Sequence, residues 1–377
     1  MSQLLGRVAK LSSAVKKQRL CFSELRSFST AAATPYLLLR DTNHRRAMTP
    51  SGGGVVLDMN LYDPRKDERV KVPDQTLSEE LRCSVKVGTS RGWVFLRNKE
   101  DSTMRLTNIY NPCASASSHK VINLPPFDDT EAHIASISLS ASPNQQDCVV
   151  AAKSCFPFIS LCRPGDSDWT HIKVPFYASQ VMYSLRDSKF YLYWGGKQYS
   201  DLIECETSSS GFPEVSLYQS FPNSDIPESR RDQVSSSMKT QYLVESPNSG
   251  DSFIVYWCNE YLELKEGEPE SCNGKKPPYR RTSSFMIKPR TFVVFRQDRE
   301  QGIGSYTEDI GDLCIFLGQR EAFCVSATEY PGLHPNSVYY SSFRTGYGYY
   351  DLSSNTLHDV IDEAPLSSVS MWLAPLQ

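Results

Sequence analysis

The stretch RLTNIYNPCASASSHKVINLPP, residues 105–126, contains an apolar run, an Asn-Pro step and a second apolar run that ends in proline. Apolar runs with this ending recur at intervals of 52, 50 and 47 residues, at Val72-Pro73, Leu124-Pro125, Val174-Pro175 and Phe221-Pro222. A proline turn precedes each of the first three, at Asp63-Pro64, Asn111-Pro112 and Arg163-Pro164. An internal repeat of about 50 residues that contains only strand signals is typical of a β-propeller.

The rest of the chain fits the same architecture. From residue 34 onward, short runs rich in β-branched and aromatic residues alternate with Gly, Pro, Asn and Ser, as expected of about twenty strands in blades of four. Proline lacks a donor N–H and is tolerated on the outermost strand of a blade. The sequence predicts an all-β fold, a single propeller over residues 34–365 with six four-stranded blades, or alternatively seven, and a C-terminal tail at 366–377.

Three polar or glycine-rich segments interrupt the strand pattern. Residues 223–239 are polar and without periodicity, which predicts a surface loop. Residues 260–283 have an acidic half followed by a basic half, which predicts a solvated charged insertion in one blade. Gly52-Gly53-Gly54 precedes a strand, whereas phosphate-binding loops precede a helix, so a glycine-rich turn is the better interpretation.

Residues 1–33 have the composition of an organelle transit peptide. The first 28 residues carry six basic side chains and one acidic one, and their apolar residues follow helical spacing. Such a cleavable, basic amphipathic presequence would engage the organelle import machinery. Around Arg26, Phe28 and Ser29 the chain resembles a matrix-processing site. The segment therefore predicts import into the mitochondrial matrix, with plastid or dual targeting as alternatives and an unaddressed basic tail as the competing interpretation.

Composition excludes several classes of function. The chain has 377 residues, 40% hydrophobic and 22% charged, and without residues 1–28 its net charge changes from −3 to −8. An acidic body is a poor partner for nucleic acid. No run approaches the roughly 18 apolar residues that a membrane-spanning helix needs.

Motifs for metal, cofactor or catalysis are missing from the sequence. The eleven cysteines form no C-x-x-C pair and the six histidines are scattered, which favours buried free thiols and predicts no metal site. Asp128-Asp129 and Asp166-Ser167-Asp168 offer paired carboxylates, but in turn-like sequence, where exposed acidic residues are common. The sequence predicts no cofactor and no catalytic residue; an enzyme with a site in the propeller channel stays open as an alternative.

The C-terminal third resembles the plant F-box-associated family called domain of unknown function 295. The resemblance rests on four segments, Leu313-Cys314-Ile315-Phe316-Leu317-Gly318-Gln319, Ala322-Phe323-Cys324-Val325-Ser326-Ala327, 330–340 (YPGLHPNSVYY) and Tyr349-Tyr350-Asp351-Leu352. The Gly92-Trp93 and Asn111-Pro112 pairs look like the earlier part of the same domain, so the resemblance covers roughly residues 35–365. Many members of the family carry an N-terminal F-box helix bundle.

Strands of this chain are predicted to begin near Tyr36, after a single basic helical stretch, so it resembles the family's organellar branch without the F-box. The resemblance implies a non-catalytic, mitochondrial protein-interaction module whose partner is unknown. The alternative from a different class is a relative of the F-box-type ubiquitin-ligase adaptors in the cytosol or nucleus.

Overall fold

The computed structural model describes eleven segments of the chain. In these segments, 26 strands form six sheets, and two short helices connect some of the strands. The described residues are 34–49, 52–114, 119–127, 134–174, 180–193, 211–263, 270–271, 285–318, 322–342, 346–360 and 370–376.

The first sheet, blade 1, joins the two ends of the described chain. Strand β1 (Tyr36–Leu38) pairs antiparallel with β26 (Met371–Leu373) on one side and with β3 (Gly52–Asp63) on the other. Strands β2 (Thr42–Thr49) and β4 (Glu68–Ser78) also pair with β3. The last strand of the chain thereby closes the ring by completing the first blade.

Blades 2 and 3 each have four strands in chain order. Helix α1 (Glu79–Arg82) connects blade 1 to blade 2. The strands of blade 2 are β5 (Ser84–Ser90), β6 (Trp93–Asn98), β7 (Thr103–Thr107) and β8 (Val121–Pro126). Those of blade 3 are β9 (Ile134–Leu139), β10 (Val150–Ser154), β11 (Phe158–Cys162) and β12 (Thr170–Lys173).

Blades 4 and 5 depart from simple chain order. Blade 4 contains β13 (Gln180–Ser184), β14 (Lys189–Tyr193) and β15 (Val215–Leu217), with β15 parallel to β14. Helix α2 (Glu228–Ser235) leads to blade 5, which has the strand order β16-β17-β19-β20 and β18 beside β17. Their bounds are β16 (Met238–Glu245), β17 (Ser252–Glu263), β18 (Glu270–Ser271), β19 (Phe285–Asp298) and β20 (Ile303–Thr307).

Blade 6 has five strands in the order β22-β21-β23-β24-β25. Strands β21 and β23 are parallel and the other pairs are antiparallel. The bounds are β21 (Leu313–Leu317), β22 (Ala322–Ser326), β23 (Ser337–Ser342), β24 (Gly346–Asp351) and β25 (Thr356–Asp359).

The core is divided into six apolar clusters, one between each pair of neighbouring blades. Successive residues of a strand point to opposite faces of the sheet, and both faces of a blade are covered. In β6, Trp93 and Phe95 pack towards blade 3, while Val94 and Leu96 pack towards blade 1. The chain is therefore a six-bladed propeller, as the sequence predicted.

The prolines of the repeat lie where their chemistry allows. Pro73 lies in β4, an outer strand of blade 1, and Pro125 lies in β8, the outermost strand of blade 2; Pro175 lies outside the described residues. Pro73 sits where the register of β4 shifts, at a bulge beside Asp58. The fourth copy differs, because Pro222 lies outside the strands and its carbonyl oxygen accepts a hydrogen bond from the Gly304 N–H of β20.

Three local predictions from the sequence are wrong: the C-terminal tail, the surface loop and the glycine-rich turn. The predicted tail at 366–377 contains β26, whose backbone pairs with β1, so the propeller extends beyond residue 365. The predicted loop at 223–239 contains α2 and the start of β16, because Arg230 and Val234 are buried against blade 5. The three glycines at 52–54 begin β3 and pair with β2 rather than forming a turn.

The charged insertion starts later than the sequence predicted. Residues 260–263 continue β17 as the antiparallel partner of β19, and residues 270–271 form β18. Residues 264–269 and 272–284 lie outside the described residues. Neither helix in the described part of the chain is long and apolar enough to cross a membrane.

Candidate binding site at the mouth of the central cavity

One edge strand of each sheet faces the axis of the ring. These inner strands are β26, β5, β9, β13, β16 and β22. An edge strand has backbone N–H and C=O groups without a partner in its own sheet, and buried groups of this kind need hydrogen bonds. The inner strands therefore require partners from outside their own blades.

Side chains of the neighbouring blade supply several of these hydrogen bonds. The Leu139 N–H of blade 3 donates to the Ser90 hydroxyl of blade 2, with an N–O distance of 3.1 Å. The Tyr183 N–H of blade 4 donates in the same way to the Ser138 hydroxyl of blade 3 at 3.0 Å. Small hydroxyl residues on the inner strands therefore satisfy the backbone of the next blade.

Gln180 and Thr89 extend this ring of side-chain-to-backbone bonds. The Gln180 amide donates to the Leu243 carbonyl oxygen and accepts from the Leu243 N–H, both at 2.8 Å, and so joins blades 4 and 5. The Thr89 hydroxyl donates to the Trp372 carbonyl oxygen at 2.8 Å and joins blade 2 to the closing strand of blade 1. These bonds fix the inner strands around a defined central space.

That space contains a cavity of about 190 Å³ with contributions from all six blades. Residues at the carboxyl ends of several inner strands meet at its mouth. The lining from the strands and their ends comprises Ser90, Ser138, Leu139, 181–183, Glu245, 322–325 and Ala374. Small-molecule sites have volumes of about 300–1,000 Å³, so this cavity is the size of an amino-acid side chain rather than a cofactor.

Glu245, the last residue of β16, is the cavity-lining carboxylate that lies on a strand. Its side chain is 7% exposed, and it accepts hydrogen bonds from the Ser184 hydroxyl at 2.6 Å and the Leu185 N–H at 3.0 Å. The Arg186 guanidinium lies 3.7 Å away. Glu245 therefore holds the 185–188 turn of blade 4 against blade 5, and its lone pairs are engaged in that task.

The rim of the cavity combines apolar and charged side chains. Leu185 is 46% exposed, which is unusual for a leucine in this propeller. Across the mouth, the Asn248 amide donates to Glu329 Oε1 at 2.9 Å. Arg91 Nε donates to the Leu139 carbonyl oxygen at 2.9 Å.

The turn that carries Arg91 requires its glycine. Arg91 and Gly92 both have positive φ, at 48° and 80°, as in the two-residue turns of tight hairpins. A Cβ on Gly92 would lie 2.7 Å from the Ala374 carbonyl oxygen. The turn therefore approaches the C-terminal segment closely, and this places Arg91 at the rim.

A second electrostatic contact clamps blades 4 and 5 on the same side. Arg299 Nη2 lies 2.7 Å from Asp187 Oδ2, and the Tyr191 hydroxyl donates to the same oxygen at 2.6 Å. Burial alone would raise the pKa of Asp187, but the hydrogen bonds from Arg299 and Tyr191 outweigh it and lower that pKa to about 2. Burial and the neighbouring carboxylate raise the pKa of Tyr191 to about 12.

Part of the segment quoted for the family resemblance, residues 322–325 and Tyr330, lines this cavity, whereas the paired carboxylates Asp166 and Asp168 do not. Arg26, Phe28 and Ser29 lie outside the described residues, as does Asp128-Asp129. The Asp166 carboxylate accepts from the Arg163 N–H of its own turn at 2.7 Å, and the Ser167 hydroxyl donates to Asp168 at 2.7 Å. These acidic residues shape an exposed turn.

Most of the cysteine side chains in the described part of the chain are buried or half-buried. Cys148, Cys162, Cys258, Cys314 and Cys324 are buried free thiols, and Cys155 is exposed. Burial raises the pKa of Cys148 to about 11, which keeps it protonated near neutral pH. Among the described residues, no group of three or more His, Cys, Asp or Glu side chains could hold a metal ion.

Sequence reasoning missed the cavity because it missed several inner strands. Strands β5 and β9 have the sequences SVKVGTS and IASISL, rich in small and hydroxyl residues. A period-two alternation is present in both and would have been the available signal. Which residues meet at the mouth of the cavity depends on closure of the ring of blades, and a single strand does not show it.

Comparison with known proteins assigns a family. Residues 60–354 match the KIB1-4 β-propeller family. The chain belongs to that family. The family is a β-propeller family, in agreement with the six-bladed architecture of this KIB1-4 propeller. No curated protein matches it in sequence.

Solved structures resemble the KIB1-4 propeller only remotely. A protein from Lactobacillus plantarum has 11% identity and a TM-score of 0.36, with 90% of this chain and 98% of that chain covered. Dihydro-heme d1 dehydrogenase NirN has 11% identity, coverage of 91% and 76%, and a TM-score of 0.27. Apo AztD from Citrobacter koseri has 8% identity, coverage of 89% and 97%, and a TM-score of 0.24. These values carry no information about function.

Proposed function

We propose that this KIB1-4 propeller is a non-catalytic protein-interaction module that acts in the mitochondrial matrix. The observation that carries the interaction role is the rim of the central cavity. Turns from different blades surround a space that takes a side chain but is small for a cofactor. Repeat proteins commonly use turns on one face to bind partners.

The chemistry of the rim supports binding more than catalysis. A general acid or base needs a proton-transfer group that can reach a substrate. Glu245 is engaged by Ser184, Leu185 and Arg186. The cavity-lining positions of the strands are otherwise mainly apolar or small, and such a lining favours contact with apolar side chains of a partner.

The compartment is proposed from residues 1–33. Their basic, serine-containing and apolar composition supports import, and Arg26, Phe28 and Ser29 resemble a matrix-processing site. The narrower resemblance to the organellar branch of domain of unknown function 295 supports the same compartment.

Two experiments test this proposal. A fluorescent fusion of residues 1–60 should enter mitochondria, and an Arg26→Ala variant should shift or abolish processing at Phe28-Ser29. A wild-type fusion that stays in the cytosol would contradict the mitochondrial role and favour the ubiquitin-ligase adaptor alternative; a plastid signal would favour plastid import.

The second experiment addresses interaction. The full-length protein, tagged at its C-terminus, is purified from isolated mitochondria, and co-purifying proteins are quantified against a tagged unrelated matrix protein. We expect at least one protein to be enriched specifically and to bind again when both are purified. The absence of any such protein after mild cross-linking would refute the interaction role.

A further inference from the structure

The carboxylates at the cavity mouth differ in whether a cation neutralises them. Glu245 and Glu329 are the carboxylates among the lining residues, and Glu245 lies 3.7 Å from the Arg186 guanidinium. Two carboxylates of neighbouring turns, outside the lining, are also paired with cations: Asp187 with Arg299, and Asp251 with Arg296 at 3.7 Å. Glu329 also lines the cavity, yet its hydrogen-bond donor is the neutral amide of Asn248. Within the described residues, Glu329 forms no ion pair, so its charge faces the mouth uncompensated.

Apolar surface lies around this charge. Leu185 and Tyr330 line the same cavity, as do the small or apolar side chains of Ala322 and Val325 from the inner strand of blade 6. Leu185 is one of the large apolar side chains with substantial exposure in the described chain, at 46%. Exposed apolar surface beside an opening is typical of interaction sites.

The cation that lines the cavity is directed elsewhere. Arg91 Nε donates to the Leu139 carbonyl oxygen and is therefore bonded to blade 3, whereas Glu329 lies on blade 6, after its inner strand. The chain outside residues 1–28 is also acidic as a whole, with a net charge of −8, which favours approach of a basic partner.

A cavity of side-chain size, with apolar side chains beside a carboxylate that has no ion pair, matches a specific kind of side chain. Lysine and arginine have apolar stems and a terminal cation, and they bury the stem while the cation stays at a polar surface. We propose that this mouth binds an extended segment of a protein partner and receives one of its lysine or arginine side chains, with the cation at Glu329 and neighbouring apolar residues on Leu185. This inference rests on the proposed interaction function.

The direct test uses full-length protein and three labelled decapeptide pools in a Gly/Ser/Leu background. The pools differ only at the central residue, which is lysine, norleucine or glutamate. Norleucine keeps the apolar stem without the cation. By fluorescence anisotropy at low salt, we expect the lysine pool to bind at least tenfold more tightly than the glutamate pool and about threefold more tightly than the norleucine pool.

Two variants locate the binding. Glu329→Gln should weaken the lysine pool about threefold and leave the norleucine pool unchanged, and Leu185→Ser should weaken both. The matched control is Glu300→Gln, the same change at an exposed position in the β19–β20 turn away from the cavity lining, and it should have no effect. Equal binding of the three pools, or equal effects of the changes at Glu329 and Glu300, would overturn the proposal.

The same variants separate this inference from the proposed function. A partner recovered from mitochondria should lose affinity for the Glu329→Gln/Leu185→Ser double variant but not for Glu300→Gln. A partner that binds the double variant as tightly as wild type would overturn the cavity inference and leave the interaction function standing. If wild-type protein recovers no partner, the interaction function itself fails, whatever the peptides show.

Discussion

Arg230 of helix α2 is 6% exposed, and its guanidinium group donates hydrogen bonds to blades 5 and 6. Nη2 donates to the Phe292 carbonyl oxygen at 2.9 Å and the Tyr350 hydroxyl at 2.8 Å, and also to the Thr291 hydroxyl. Nη1 donates to the Tyr306 hydroxyl at 2.7 Å. One side chain thus links the helix to two blades.

Replacing Arg230 by alanine should therefore be costly. A hydrogen bond to a charged group contributes about 1.5–3 kcal/mol, and removal of one partner from a buried charged network costs about 3–5 kcal/mol. Glu308, which lies 3.3 Å from Arg230, is 40% exposed. Water can therefore solvate Glu308 when Arg230 is removed, and the lost ion pair adds little to the cost. We expect Arg230→Ala to lower the free energy of unfolding by about 3–5 kcal/mol.

The assay is equilibrium urea unfolding followed by tryptophan fluorescence, with midpoint and slope fitted separately. The neighbouring residue provides the control. Arg231 has a side chain 55% exposed, 4.0 Å from an Asp225 that is 97% exposed, so Arg231→Ala should change stability by less than about 0.5 kcal/mol. If the two alanine variants unfold within about 0.5 kcal/mol of each other, the buried network does not stabilise the fold and the reasoning is wrong.

Three further predictions test single contacts. Gln180→Ala removes both hydrogen bonds to the Leu243 backbone and should lower the free energy of unfolding in urea by about 1–3 kcal/mol. Gln301→Ala, in an exposed turn, should leave it unchanged. Equal effects of the two changes would contradict the inter-blade role of Gln180. The pKa of Asp187 is lowered to about 2 in the folded state, so its contribution to stability is complete above the unfolded pKa of about 3.9 and is lost as pH falls through about 2. The difference in free energy of unfolding between wild type and Asp187→Asn should therefore shrink in that window. A difference that stays constant would refute the clamp. Burial lowers the pKa of Lys153 to about 8, so wild type should gain stability relative to Lys153→Met between about pH 8 and pH 10.4; a difference independent of pH would argue against burial of the charge.

The sequence revealed the blades best where their strands are apolar. The β6 residues Trp93 to Leu96 alternate between two neighbouring blades and have the aromatic and β-branched composition typical of a strand. Proline at the ends of outer strands was an equally local signal, because it reflects a missing backbone donor. Both features depend on residues adjacent in the chain.

Inner strands were harder to recognise because crowding near the axis selects small residues. A Cβ on Gly88 of β5 would lie 3.1 Å from Ile137 Cδ1 of β9. Ser90 and Ser138 on these inner strands bond the backbone of the next blade. Neither requirement is visible in a single strand, so the composition of β5 and β9 does not mark them as strands.

Arg230 shows the same limit. The polar segment around it has the composition of a solvated loop, but its hydrogen-bond partners lie 61 to 125 residues further along the chain. That arginine has enough acceptors to be buried because α2 packs on blade 5 within reach of blade 6.

By itself, the sequence determined the strand content, the period of about 50 residues and the apolar faces, because alternation and proline act over a few residues. The tertiary structure decided how the ring closes, since nothing local in Met371–Leu373 specifies β1 at the other end of the chain as its partner. It also decided the cavity, because Leu185, Glu245 and Glu329 meet only when three blades stand side by side. Their proximity is a consequence of closure.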